Sequence, residues 1–286
     1  MKSSRFLALS VLLVALLSTC GYGSSAEGQL AIVPETEDTS RDPDRPFFPL
    51  GFMGVYPGAR DGGSFPRIAD GGFNVVHEFR GVQEIEAAHE YLLQAEEAGL
   101  DVIQSMPACR AYTQGRSPCQ EHSVEAWDEE EWGAYISDLS AHGNLVAWFL
   151  PDEITDYAAA ADLYRWVQEY DPEQRPVYAN PGTFEYHKIA RFPQFSDFLW
   201  AACYPEYYGE PRAIVTYGMR LDARAARGTD TRWGAILQFF DSAEFGKDWG
   251  YPTPHELRCD SYQAIIAGAT GLWYFAYGLG TDLDGL

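Results

Sequence analysis

Positive charge is scarce in this chain. Twenty lysines and arginines stand against 42 aspartates and glutamates, which leaves a formal net charge of −22. That balance argues against a nucleic-acid or anionic-membrane partner held by charge, because a polyanion would be repelled. Histidine and cysteine are also few, at 6 and 5 residues. They form no close cluster with zinc-ligand spacing, so neither a metal nor another cofactor is expected. No G-x-G-x-x-G follows the first apolar run, and the fingerprint of a dinucleotide-binding doubly wound sheet is therefore missing. Disorder is excluded over most of the length by a hydrophobic share of 46%, enough for one large core.

The N-terminus reads as a separate segment. Lys2 and Arg5 precede a run from Phe6 to Leu17 that is apolar except for Ser10. An export signal over residues 1–20 fits this pattern, since the run is short for a membrane span. Its end, Leu17-Ser18-Thr19-Cys20, resembles a bacterial lipobox, although Thr19 is unusual before the cysteine. Membrane attachment through a lipidated Cys20 and plain secretion both stay open, and either places the mature chain outside the cytoplasm. Residues 21–44 are rich in Gly, Ser, Glu, Asp and Thr, the composition of a flexible tether. Structure is expected over 45–286. Export permits disulfides, and Cys109 and Cys119, which share the polar segment ACRAYTQGRSPCQ, are the expected pair. Cys203 and Cys259 read as small buried residues.

From Arg45 onward one theme repeats: a short apolar run, then a helical pattern. The runs are GFMGVY, FNVVHEF, LDVIQSMP, LVAWFL, RPVYAN, DFLWAACY, WGAILQFF and GLWYFAY. Several are apolar on both alternating faces, as strands are when helices cover one side and packed side chains fill the other. Between them, Ile85, Ala88, Leu92 and Ala95 form a helical stripe, as do Trp132, Tyr135, Ile136 and Leu139, and then Leu163, Tyr164, Val167 and Tyr170. Thr253-Pro254-His255-Glu256 has the form of a capping box with proline at the first helical position. Eight such units predict an α/β fold, a (β/α)8 TIM barrel, with a doubly wound sheet as runner-up. Only GLGTDLDGL follows Tyr277, so the last helix is expected to be lacking.

Barrels of this kind place reactive groups at the C-terminal ends of their strands. That rule selects His77 and Glu78 from the second run, Asp152 and Glu153 from the fourth, and Asn180 from the fifth. Tyr204 and Glu206 come from the sixth, Gln238 and Asp241 from the seventh, and Tyr274 and Tyr277 from the eighth, while Trp273 and Tyr204 are rings that could carry a sugar, with core packing the leading alternative. Carboxylates, amides and rings dominate. Glycosidic cleavage needs two carboxyl groups, while rings stack on sugar faces and amides bond hydroxyls. Any single ring can equally be core, and His77 can equally be a buried, hydrogen-bonded histidine. His77 and Glu78 are adjacent on a strand, so only one of them is expected to face the lumen.

The segments RPFFPLGFMGVYPG, IADGGFNVVHEF, LLQAEEAGLDVIQSMP, AWFLPDE, SDFLWAACYPEYYG and PTPHELRCDSYQAIIAGATGLWYFAYG resemble, in their order, the (β/α)8 retaining glycosidase clan with cellulase-like and β-galactosidase-like members. The resemblance covers nearly all of residues 45–278. It implies an exported glycoside hydrolase acting on a polysaccharide or oligosaccharide. By position its acid/base is Glu153, preceded here by Asp152 where the clan usually has Asn. The clan's nucleophile is a Glu closing the seventh strand, and this sequence has Gln238 near that position. Asp241 or Glu206 would then replace the nucleophile or serve as base in an inverting reaction. The alternative is a glycan-binding lipoprotein on a degenerate barrel. His77, Glu78, Asp152, Asn180, Tyr204, Gln238, Trp273 and Tyr277 are the expected substrate contacts.

Overall fold

The computed structural model describes residues 47–55, 64–78, 85–106, 128–241 and 251–277. The expected signal, the tether, the Cys109–Cys119 pair and everything after Tyr277 lie outside them. Eight strands close into one parallel ring: β1 (Leu50–Met53), β2 (Val75–Glu78), β3 (Asp101–Ser105), β4 (Leu145–Phe149), β5 (Val177–Ala179), β6 (Phe198–Cys203), β7 (Arg232–Gln238) and β8 (Leu272–Phe275). The ring shuts where Leu50 pairs with Leu272 and Met53 with Phe275. Helices α1 (Ser64–Asp70), α2 (Ile85–Glu97), α3 (Glu129–Leu139), α4 (Tyr157–Tyr170), α5 (Tyr186–Ile189), α6 (Pro205–Tyr208), α7 (Ala213–Ala225) and α8 (Pro254–Ile266) fill the crossovers. This is the (β/α)8 barrel the sequence predicts.

Alternation along each strand divides the core in two. Inward residues such as Met53, Ile103, Phe149, Tyr178, Ile236 and Trp273 pack inside the ring. Outward ones, among them Val76, Val102, Trp148 and Leu199, meet the buried stripes of the helices. The lumen is filled by rings in succession. Tyr178 stacks on Phe198 at 4.7 Å, Phe198 on Trp200 at 4.6 Å, Trp200 on Trp273 at 4.2 Å and Trp273 on His77 at 4.7 Å. A Cβ at Gly234 would lie 2.6 Å from the Trp200 ring, so the absence of a side chain there makes room for the stack.

Local chemistry sets the helix starts. Asp128 accepts from the amides of Glu130 and Glu131, and Glu131 returns a bond to the Asp128 amide. Thr253 and Glu256 do the same at α8, with Pro254 at the first turn. At the opposite end from the rim, buried Arg175 gathers four elements. It donates to the carbonyl of Leu145 at 2.7 Å, to Asp171 at 2.7 Å and to the carbonyls of Ser140 and His142. Asp171 also accepts from the Trp148 indole at 2.9 Å.

One strand differs from expectation. RPVYAN yields only three residues of β5, because Pro176 has no N–H to donate and the Asn180-Pro181-Gly182 turn ends the extended run. Its ladder to β6 stops at Ala179 opposite Leu199, while β6 continues to Cys203.

Candidate functional site

The rim above β4 carries Asp152 and Glu153. Glu153 is exposed and holds a left-handed backbone, φ 53°. A non-glycine residue there is uncommon, and such positions concentrate at functional sites. Gly182 explains how the conformer is held. A Cβ on Gly182 would fall 2.4 Å from Cγ of Glu153, and Gly182 itself has φ +60°. The turn that bears Gly182 is fixed in turn, since its N–H donates to Asn180 Oδ1 at 3.0 Å and Asn180 Nδ2 donates to Asp152 Oδ1 at 2.8 Å. Asn180 thus links the fourth and fifth strand ends.

Electrostatics sharpen the pair. Burial and the neighbouring Glu153 charge push the Asp152 carboxyl up to about 7, against the Asn180 hydrogen bond, which lowers it. Glu153 is exposed as a residue, but the packing of its carboxyl end against Gly182 desolvates it in part and raises it as well. Both carboxyls therefore retain a proton at higher pH than free ones do. Tyr204 and Tyr208 lie in the field of these carboxylates. Burial, with those charges added, raises the Tyr204 hydroxyl and pushes Tyr208 up to about 12. The two rings stack at 5.9 Å, and Tyr204 also stacks on Phe275 at 6.1 Å. Asp152, Glu153, Asn180, Tyr204 and Tyr208 form one hydrogen-bonding, ring-walled cluster.

The other predicted residues go elsewhere. His77 points into the lumen, buried, 2.5 Å from Ser105 Oγ and packed on Phe149 and Trp273. Burial drives its pKa down to about 3, so the imidazole is neutral. Glu78 is buried on the outward face, where its charge is felt by Tyr135 of α3. Gln238 faces inward at the end of β7, but both ends of its amide are used: Oε1 accepts from the Tyr207 amide at 3.0 Å and Nε2 donates to the Phe240 carbonyl at 3.2 Å. It clamps α6 to the β7 exit. Asp241 stands beyond that exit, half-buried.

Glu206 turns to the helix layer. It pairs with Arg212, which also binds Glu256 at 2.8 Å and Asp260 at 2.6 Å. Trp273 is fully buried between Trp200 and His77, a core position and no open platform for a sugar. Tyr277 is buried against Phe52 on the outer face of the ring, at 5.3 Å. Tyr274 also faces outward, its hydroxyl 2.8 Å from Ser261 Oγ. Cys203 and Cys259 are free thiols, the first buried and the second half-buried. Gly182 and Tyr208 are the rim residues that strand-end reasoning passes over. The Asn-Pro-Gly turn signals the first, and the run YPEYYG the second only by its aromatic content.

No protein-family model matches the chain, and no curated protein sequence does. Solved structures do. A β-galactosidase from Marinomonas ef1 superposes with a TM-score of 0.55 at 14% identity, over 80% of this chain and 54% of its own. A β-glucuronidase from Ruminococcus gnavus gives 0.53 at 16% identity, over 82% and 44%. A Bacteroides thetaiotaomicron protein with the provisional name alpha-L-fucosidase gives 0.61 at 10% identity, over 90% and 91%. The chain spans less than half the length of the glucuronidases it matches. At these identities the likeness is one of architecture: this chain has the closed (β/α)8 fold found in solved structures bearing the names of glycoside hydrolases.

Proposed function

We propose that the chain is an exported glycoside hydrolase acting on a polysaccharide or oligosaccharide, with Glu153 as its general acid. The observation that carries this reading is the Asp152–Glu153 pair at the end of β4. Two carboxyls with raised pKa share one rim, and one is held in a conformation that costs free energy to maintain. In the proposed reaction, protonated Glu153 gives its proton to the glycosidic oxygen as the bond from that oxygen to the anomeric carbon breaks. A second carboxylate either attacks that carbon or takes a proton from the attacking water. Asp241 suits this role because it stands just beyond the exit of β7, the strand whose part it would take, and the Glu206 carboxylate turns to Arg212 in the helix layer. Asp152 and Asn180 would bond sugar hydroxyls, with Tyr204 and Tyr208 offering ring faces. Residues 1–20 would direct export, with Cys20 as the anchor if it is lipidated.

Gln238 favours a second reading, glycan binding without cleavage, because a clamped neutral amide cannot form a glycosyl-enzyme intermediate. A panel of glycans incubated with wild type, Glu153→Gln and Asp241→Asn separates the two. Under the hydrolase reading wild type releases products, and Glu153→Gln loses about a hundredfold or more of the rate. Products formed equally by wild type and Glu153→Gln remove Glu153 as the acid. Retention of a glycan without any product from wild type selects the binding reading.

A further inference from the structure

Because β5 ends early, the β5-facing edge of β6 has no strand partner from Trp200 onward. A cavity of about 350 Å³ lies beside that edge, beneath the Pro181–Phe184 loop. Helix α7 forms its far wall. Gly218 lets this helix approach closely, since a Cβ there would meet Cys203 Sγ at 2.9 Å and Ala201 Cβ at 3.3 Å. Ile214 and Asp222, one turn to either side of Gly218, line the cavity from the same helix face.

Asp222 is out of place on that face. Its neighbours Val215, Met219 and Leu221 are buried apolar residues, and the carboxyl itself is 1% exposed. Among the described residues its Oδ2 has no hydrogen-bond partner and no cation pairs with it. Burial raises its pKa far above that of a free aspartate. A carboxyl kept in such a position is costly unless something satisfies it. The lining contains a second carboxylate, Glu210, exposed beside Tyr208, and no lysine, arginine or histidine. Phe184 and Tyr208 add ring surface, which attracts cations through the negative faces of the rings.

We propose that this cavity binds a monosaccharide-sized ligand bearing a protonated amine, an amino sugar, with the ammonium paired to Asp222 and the mouth guarded by Glu210. Anionic sugars are disfavoured by the same two carboxyls. The cavity adjoins the Glu153 rim and shares Asn180, Gly182 and Tyr208 with it, while Asp222 and Glu210 belong to the cavity's own wall.

Calorimetric titration of the full chain with D-glucosamine, D-glucose and N-acetyl-D-glucosamine tests this, using wild type, Asp222→Asn and Glu210→Gln. Glucosamine is expected to bind wild type at least tenfold more tightly than the two uncharged sugars. Asp222→Asn should abolish that preference and Glu210→Gln should weaken glucosamine binding at least threefold, whether or not the chain is a hydrolase. Equal binding of the three sugars to wild type overturns the proposal, as does unchanged glucosamine affinity in Asp222→Asn. If Asp222→Asn does not fold, unchanged affinity in the exposed Glu210→Gln variant overturns it instead.

Discussion

Glu153 adopts a backbone conformation that costs an L-residue roughly 1–3 kcal/mol, and two contacts hold it there: the bare face of Gly182 and the Asn180 bridge to Asp152. Gly182→Ala attacks the first of these. Its methyl would arrive 2.4 Å from Glu153 Cγ, at a residue whose own φ is +60°, so the Glu153 carboxyl must move. A displacement near 1 Å costs about a hundredfold in rate when proton transfer depends on geometry, so under the hydrolase reading kcat should fall by about that much, with KM changed far less. Gly99→Ala is the control, because Gly99 has φ +74° and nothing within 4 Å of an added Cβ. It should lose about 1 kcal/mol of stability without losing activity. Steady-state kinetics and thermal melts on both variants decide the matter. Equal activity in the two would mean that Gly182 does not position Glu153.

At the level of elements, the barrel depends on polar groups buried where strands begin as well as on apolar stripes. Arg175 joins α3, β4, α4 and β5 through one guanidinium, and its charge balances that of Asp171. Arg175→Ala would leave Asp171 buried without its partner and three carbonyls without their donor, a loss of about 3–5 kcal/mol. The melting temperature should drop by about ten degrees. Arg175→Lys should recover little of this, since an ammonium cannot reach the same fork of acceptors; full recovery by Lys would show that charge alone matters. Little of this hub was legible beforehand, because RPVYAN gave the strand but not the direction of its arginine. The elements themselves were legible: apolar runs of strand length alternate with stripes of helical period, and Thr253 and Glu256 announce their cap in order. Rim residues of adjacent strand ends, Asp152, Glu153 and Asn180, could be grouped from the barrel rule alone. What escaped was orientation. Alternation separates His77 from Glu78 without telling which faces inward, Glu206 finds its partner on the following helix, and Asp222 sits within a helix whose sequence looks ordinarily amphipathic.

For the whole molecule, burial of titratable groups sets how stability varies with pH. Asp152 is raised from 3.8 to about 7 and Asp260 from 3.8 to about 6, and Asp222 and Glu153 move the same way. The folded state binds more protons than the unfolded one between each pair of values, so these groups stabilise it fully below 3.8 and progressively less as pH rises through their folded values. Self-repulsion at a net charge of −22 acts in the same direction. His77 opposes them. Its pKa falls from 6.5 to about 3, so its contribution is complete above 6.5 and is lost as pH falls toward 3. The sum of these shifts predicts a melting temperature that is highest in acid, at about pH 4, where the raised carboxyls are still fully protonated in the folded state, and that falls from there toward neutral and alkaline pH and turns down again below it. His77→Gln removes the most deeply buried of the opposing groups and leaves the raised acids in place. Its melting temperature should be lower overall through lost packing on Trp273, yet its acid limb should flatten and its optimum should move down by about one pH unit. Melts of both proteins across the acid and neutral range check this, and an acid limb of unchanged slope in His77→Gln would show that another group, not the lumenal histidine, governs unfolding in acid.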